Sequence, residues 1–311
     1  MTDQPNKNIP ISERLIGAAL YAPLVIARVL PYRWRVPVAG WLTARVLAPL
    51  AGYRRRVREN LAHACPNLSA ADVRALTRSV PDNAGRSMME MYSREFKELA
   101  RNVPISGPGL ETLRTARKAG RPVVFVTGHF GNFNAARVAM IEQGFHMGGF
   151  YRPLTNRPFN KHYMQAMRSV SEPLFEQGRR GMMQMVKHLR GGGVVAILND
   201  LNAHDGVPLT FFGQPALTSL ATAEMALKYN APLIPVWGIR NPDGHSFHVL
   251  VEDEIPPTDA VTMTQDFNNR LEAQVRQHMD QWFWIHRRWK DGTGPLAEKR
   301  AQVLADLTRQ D

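Results

Sequence analysis

The stretch RPVVFVTGHFGNFNAARVAMIEQG, residues 121–144, decides the fold. Five of its first seven residues, Val123 to Thr127, are β-branched or aromatic, which predicts a buried strand over 121–127. Gly128 and Gly131 interrupt that run, and from Asn132 to Gly144 small and apolar residues return at helical spacing. A strand feeding straight into a helix is the building unit of a parallel sheet covered by helices.

The same alternation continues downstream. FHMGGFYRP (145–153) reads as a strand, FNKHYMQAMRSV (159–170) and GMMQMVKHLRGG (181–192) as helices, and GVVAILND (193–200) as a strand. SLATAEMALKYN (219–230) reads as a helix and APLIPVWGIR (231–240) as a strand. SFHVLVEDEI (246–255) returns as a strand across the turn Asn241-Pro242-Asp243-Gly244. These elements predict an α/β fold, a mostly parallel central sheet with flanking helices that ends in an antiparallel hairpin. Upstream, residues 57–97 are helical in pattern, with Ser69 and Asp72 forming a capping box.

Before that lie two apolar stretches, 16–30 and 36–50, each broken by an arginine (Arg28, Arg45) and a proline (Pro23, Pro49). Neither provides the roughly twenty apolar residues of a spanning helix. Aromatic and cationic groups in PYRWR and YRRRVR suit headgroup level at a bilayer surface, so residues 1–52 read as an N-terminal membrane-associated helical segment. The alternative is an ordinary amphipathic layer on the core. Residues 53–311 form the second unit. The first residues lack the basic start and cleavage site of a secretory signal, which predicts the cytoplasmic side.

A net charge of +12 and a pI near 10.2 predict attraction to polyanions. The cations are scattered, without zinc-finger spacing or a ribonucleoprotein-type aromatic motif, so nucleic acid is not the expected partner. Cys65 is the single cysteine, which excludes an internal disulfide and a cysteine-based metal cluster.

His129 carries the chemistry. In an open α/β sheet ligands bind beyond the carboxyl ends of the strands, and His129 follows such an end directly. The glycines around it permit a sharp turn, and the next helix offers free N–H groups to a developing anion. Residues five apart on a helix lie about 140° apart, so His129 meets Asn134 only if it precedes the helix. His204 and Asp205 lack partners at metal-ligand spacing, and Gly191-Gly192-Gly193 precedes a strand, which marks a helix stop and not a nucleotide fingerprint.

At HFGNFN (129–134) the chain resembles the lipid A biosynthesis lauroyl/myristoyl (late) acyltransferases of the lysophospholipid acyltransferase superfamily. Their hallmark is a histidine, four residues and then a carboxylate, as in HFGNWE. The resemblance extends from about Arg54 to Lys290 through RENLAHACPNLS (58–69), Tyr151-Arg152-Pro153, Gly178-Arg179-Arg180-Gly181, the strand ending at Asp200, VPLTFFG (207–213) and WFWIHRRWK (282–290).

The resemblance implies transfer of a fatty acyl chain from acyl carrier protein to a hydroxyl of a lipid A precursor. It implies a peripheral or monotopic enzyme on the cytoplasmic face of a Gram-negative inner membrane, with no metal or organic cofactor. The same chemistry serves a lysophospholipid or another hydroxylated lipid. His129 is the expected general base, with Asn134 orienting it and backbone N–H groups beyond Gly131, with Asn132, binding the oxyanion. Arg152, Arg179 and Asp200 are expected at the substrate, although Asp200 is also placed to supply charge to His129. WFWIHRRWK is expected either as a helix resting on lipid or as a structural cap, and His286 is not expected to be catalytic. The departure from the family is Asn134, because an amide orients an imidazole without stabilising the imidazolium, which leaves a non-catalytic lipid-binding homologue as the third reading.

Overall fold

A computed structural model describes residues 9–289 of the protein. The N-terminal segment forms α1 (Ile11–Ile26), α2 (Tyr32–Leu42) and α3 (Ala48–Leu50), and α4 (Tyr53–Ala64), α5 (Ala70–Met91) and α6 (Arg94–Arg101) follow. Then come β1 (Ile105–Ser106), α7 (Leu110–Lys118), β2 (Val123–Thr127), α8 (Phe133–Glu142), β3 (Met147–Tyr151), α9 (Arg157–Val170) and β4 (Leu174–Glu176). The remainder is α10 (Arg179–Arg190), β5 (Val194–Leu198), β6 (Val207–Phe211), β7 (Gln214–Thr218), α11 (Ala221–Lys228), β8 (Leu233–Arg240), β9 (Phe247–Val251) and α12 (Ala260–Gln277).

Seven strands form one sheet in the order β1-β9-β8-β2-β5-β3-β4, parallel except where β8 meets β9. β2 sits near the middle, and its residues divide by the pleat. Val123 and Phe125 face a cluster with Leu113 of α7 and Ala139 of α8, whereas Val124 and Val126 face the opposite cluster, with Trp237 and Leu271. Both faces are covered, which is why the strand is a continuous apolar run and not an alternating one.

Ser69 caps α5 as the sequence predicts, its Oγ accepting from Asp72 N at 3.1 Å. Three features go beyond the sequence reading. β4 has only three residues, and the β6–β7 hairpin forms a small separate sheet. α12 is rich in Thr, Gln and Asn, but its buried Met263, Phe267, Leu271 and Val275 recur every fourth residue, and Asp259 caps it.

The N-terminal helices are docked on the body. Glu13 of α1 accepts from Asn156 Nδ2 at 2.9 Å and from Arg157 N at 2.8 Å, and Gly40 of α2 lies against Asp82 of α5. Their outer faces stay apolar and open, with Ile11 75 %, Val29 82 % and Leu50 82 % exposed. Among the described residues no helix is long and apolar enough to cross a membrane.

Of the two expectations for WFWIHRRWK, the helix on lipid is corrected. As far as Trp289 the block is irregular and mostly buried or half-buried; the Trp282 and Trp284 rings pack 4.8 Å apart, and the buried Arg288 guanidinium lies over Phe211. Lys290 lies outside the described residues.

Candidate active site

The sheet register sets the site. β2 and β5 run parallel with Thr127 opposite Leu198, and Thr127 O accepts from Asn199 N at 3.0 Å. Two residues further along each chain, the same register brings His129 opposite Asp200. Asp200 Oδ1 lies 2.8 Å from His129 Nδ1, and Asp200 Oδ2 accepts the His129 backbone N–H at 2.7 Å. Trp282 Nε1 donates to the same Oδ2 at 2.9 Å. Burial alone would raise the Asp200 carboxyl; the His129 charge, the His129 ring and backbone hydrogen bonds and the Trp282 indole outweigh it and hold the group below the ordinary carboxylate value.

An ionised carboxylate only accepts, so in the neutral ring the proton sits on Nδ1, facing Asp200, and Nε2 holds the lone pair. The ring is part exposed, flanked by Phe133 and Phe283 with centroids 6.0 and 5.9 Å away. It opens on a cavity of about 210 Å³ lined mainly by apolar side chains, among them Val80, Met88 and Met91. A neutral imidazole with a free Nε2 in an apolar recess can remove a proton from a hydroxyl beside it.

The loop behind the histidine is fixed at three points. Phe283 N donates to His129 O at 3.0 Å, Gly131 N to Gln281 O at 2.8 Å, and Asn132 N to Gly238 O at 2.8 Å. Gly131 has φ +54, and a Cβ there would strike the Gly238 carbonyl. Asn132 is the helix cap: its Oδ1 accepts from Asn134 N (3.0 Å) and Ala135 N (3.2 Å), and its Nδ2 donates to Glu90 at 2.6 Å. Glu90 is fully buried and also receives both terminal nitrogens of Arg240, whose Nε reaches Asn83 at 2.7 Å.

Three expectations are corrected by this geometry. Asn134 shares the cavity with His129, but its Oδ1 accepts from Arg137 Nη1 at 3.2 Å and makes no hydrogen bond to the ring. His129 lies ahead of the helix opposite Asp200, whereas Asn134, in its first turn, faces the residue one turn on. Asn132 is buried, with its Oδ1 on the cap and its Nδ2 on Glu90, and its side chain does not line the His129 cavity where an oxyanion donor was expected. Of the two places expected of Asp200, at the substrate or as a source of charge for His129, the structure shows the second: its side chain is fully buried behind the ring and does not line the cavity.

Arg152 and Arg179 lie past the ends of β3 and β4 on the same sheet edge, exposed and outside the His129 cavity. His286 is half-buried beside the site. Its Nε2 accepts Asn202 N–H at 3.0 Å, and burial, first among several causes, pushes its value down to about 4.

Sequence reasoning missed Glu90, Arg240 and Trp282. Glu90 had a signal, a lone carboxylate inside the apolar run MMEMY at 88–92. Arg240 and Trp282 reach the site only through long-range packing.

A family model described as bacterial lipid A biosynthesis acyltransferase matches residues 9–291. Phosphatidylinositol mannoside acyltransferase of Mycobacterium tuberculosis is 24 % identical over 300 residues, covering 86 % of this chain and 90 % of its own. Lipid A biosynthesis palmitoleoyltransferase of Escherichia coli is 26 % identical over 208 residues, covering 63 % of this chain and 64 % of its own.

Proposed function

Starting from a chain that belongs to the bacterial lipid A biosynthesis acyltransferase family and is an acyl-transferring enzyme, we propose that it moves a fatty acyl chain from acyl carrier protein to a hydroxyl of a lipid A precursor. The observation that carries this reading is the His129–Asp200 pair, whose imidazole lines an apolar recess and whose Nε2 has no hydrogen-bond partner among the described residues.

The acceptor hydroxyl gives its proton to His129 Nε2 as its oxygen attacks the thioester carbonyl. Asp200 stabilises the resulting imidazolium. The tetrahedral oxyanion meets the amino end of α8, where the first-turn N–H of Phe133 has no acceptor among the described residues. Collapse breaks the C–S bond, and the imidazolium returns its proton to the departing sulfur. No covalent enzyme intermediate is needed. A carboxylate at 200 supplies what the amide at 134 lacks, which removes the motive for the lipid-binding reading.

The exposed apolar faces of α1–α3, with Arg28, Arg33 and Arg45 among them, favour a monotopic placement of residues 1–52 on the cytoplasmic face of an inner membrane, with 53–311 as the acyltransferase domain. The basic chain suits an acidic carrier protein as donor.

A second reading changes the acceptor. The mycobacterial relatives align over more of their length than the lipid A enzymes do, which favours a phosphatidylinositol mannoside or a similar hydroxylated glycolipid. Acyl transfer from acyl carrier protein in detergent, run with each acceptor, decides between them. Turnover on the lipid A precursor that His129→Ala abolishes supports the first, and turnover confined to the mannoside replaces it with the second.

A further inference from the structure

A second cavity, of about 450 Å³, lies between the N-terminal helices and the body of the fold, and it meets the His129 cavity at Met91, which lines both. Its wall is cationic. Arg28 follows α1, Arg35 comes from α2, and Arg94 and Lys97 come from α6, against the single acid Glu95. Glu95 is engaged by Arg35 at 2.6 Å, and Arg94 reaches out to Glu98 at 3.1 Å.

Arg28 donates to the Tyr92 carbonyl at 3.4 Å, where the end of α5 presents its negative pole. Among the described residues neither Arg28 nor Lys97 has a carboxylate within ion-pair distance. Burial, then Arg101 and Arg28, hold the Lys97 ammonium below its ordinary value. His162, stacked on Tyr21 with centroids 3.8 Å apart, adds a flat polar wall. Like charges gathered in a recess repel one another until a counter-charge enters.

The surroundings identify the carrier of that counter-charge. Ile26 and Val29 flank Arg28 and are 67 % and 82 % exposed, so the basic recess opens beside the apolar face of the N-terminal helices. We propose that this recess binds a phosphate ester carried by a lipid headgroup, next to the cavity where acyl transfer occurs. That the carrier is a lipid rests on the acceptor reading above; the anion site itself does not.

The test is calorimetric titration of the full chain in non-ionic detergent with dihexanoylphosphatidic acid and with inorganic phosphate. The native protein is expected to bind the phosphatidic acid, and Arg28→Gln with Lys97→Gln to weaken it about tenfold or more, roughly the worth of one charge-assisted hydrogen bond. Arg114→Gln with Lys118→Gln removes equal charge from α7 and is expected to leave binding unchanged, and Lys97→Arg to preserve it. Thermal melting of each variant separates lost binding from lost folding; should the double variant not fold, Lys97→Gln alone carries the comparison. Equal binding by the native and Gln variants, or no binding by the native chain, overturns the site. Inorganic phosphate binding as tightly as the lipid overturns the headgroup. Intact phosphatidic acid binding without turnover on either glycolipid sinks the acceptor reading and leaves the anion site standing.

Discussion

One carboxylate holds both halves of His129: Asp200 Oδ1 meets the ring at 2.8 Å while its Oδ2 takes the residue's own backbone N–H at 2.7 Å. Turning the ring breaks its bond to Oδ1, while Oδ2 of the same carboxylate holds the main chain that carries it. Asp200→Asn keeps the shape and removes the charge that stabilises the imidazolium. By analogy with triad enzymes, kcat is expected to fall by roughly 10³–10⁴-fold with KM for the acceptor little changed. Steady-state kinetics of acyl transfer check this, and a variant within tenfold of native would remove Asp200 from the mechanism.

Position 134 makes the opposite prediction. Arg137 is fully buried, its value pushed down to about 10 by burial, first of all, and its partners are Asn134 Oδ1 and Ser171 Oγ, with no carboxylate among the described residues. Asn134→Asp places a counter-ion beside it. Stability at neutral pH is expected to rise by about 1 kcal/mol, with activity within a few-fold of native. A large gain in kcat in urea-titrated, fully folded protein would show instead that residue 134 acts on His129.

How much of this was legible in the sequence depends on range. His129 and its strand stand in one local run, so their position follows from pattern alone. Asp200 stood out as a strand-end carboxylate able to supply charge, but its pairing with His129 rests on the register of two strands separated by α8, β3, α9, β4 and α10, fixed where Thr127 lies opposite Leu198. Asn134 misled because sequence proximity suggested contact, whereas helix geometry turns its side chain toward Arg137. WFWIHRRWK was ambiguous because aromatics beside cations suit a lipid surface and a buried cation–π cluster equally well.

Gly131 is required by geometry and not by chemistry. With φ +54 and the Gly238 carbonyl in the path of any Cβ, Gly131→Ala must displace the loop that carries His129. A loss of about 2–4 kcal/mol in stability is expected, together with at least a ~100-fold loss in kcat/KM from the misplaced imidazole. Chemical denaturation and kinetics measure the two separately; native values in both would mean that the loop tolerates a side chain.

His286 predicts a pH dependence of stability that is separate from activity. Its Nε2 accepts the Asn202 N–H, an arrangement open only to the neutral ring. Burial lowers its value most; Asp200 opposes this, and His129, Arg288 and Arg56 add to it, so the folded chain protonates the ring at about 4 and not at the ordinary 6.5. Between those values the unfolded chain binds more protons than the folded one, so stability rises with pH there and is lost as pH falls from 6.5 toward 4. From pH 7 to pH 5 this single group is expected to remove about 2 kcal/mol. His286→Gln keeps an oxygen acceptor for Asn202 without titrating. Urea midpoints at the two pH values should therefore separate by less in the variant than in the native protein, and equal separations would exclude His286 as the source of acid sensitivity.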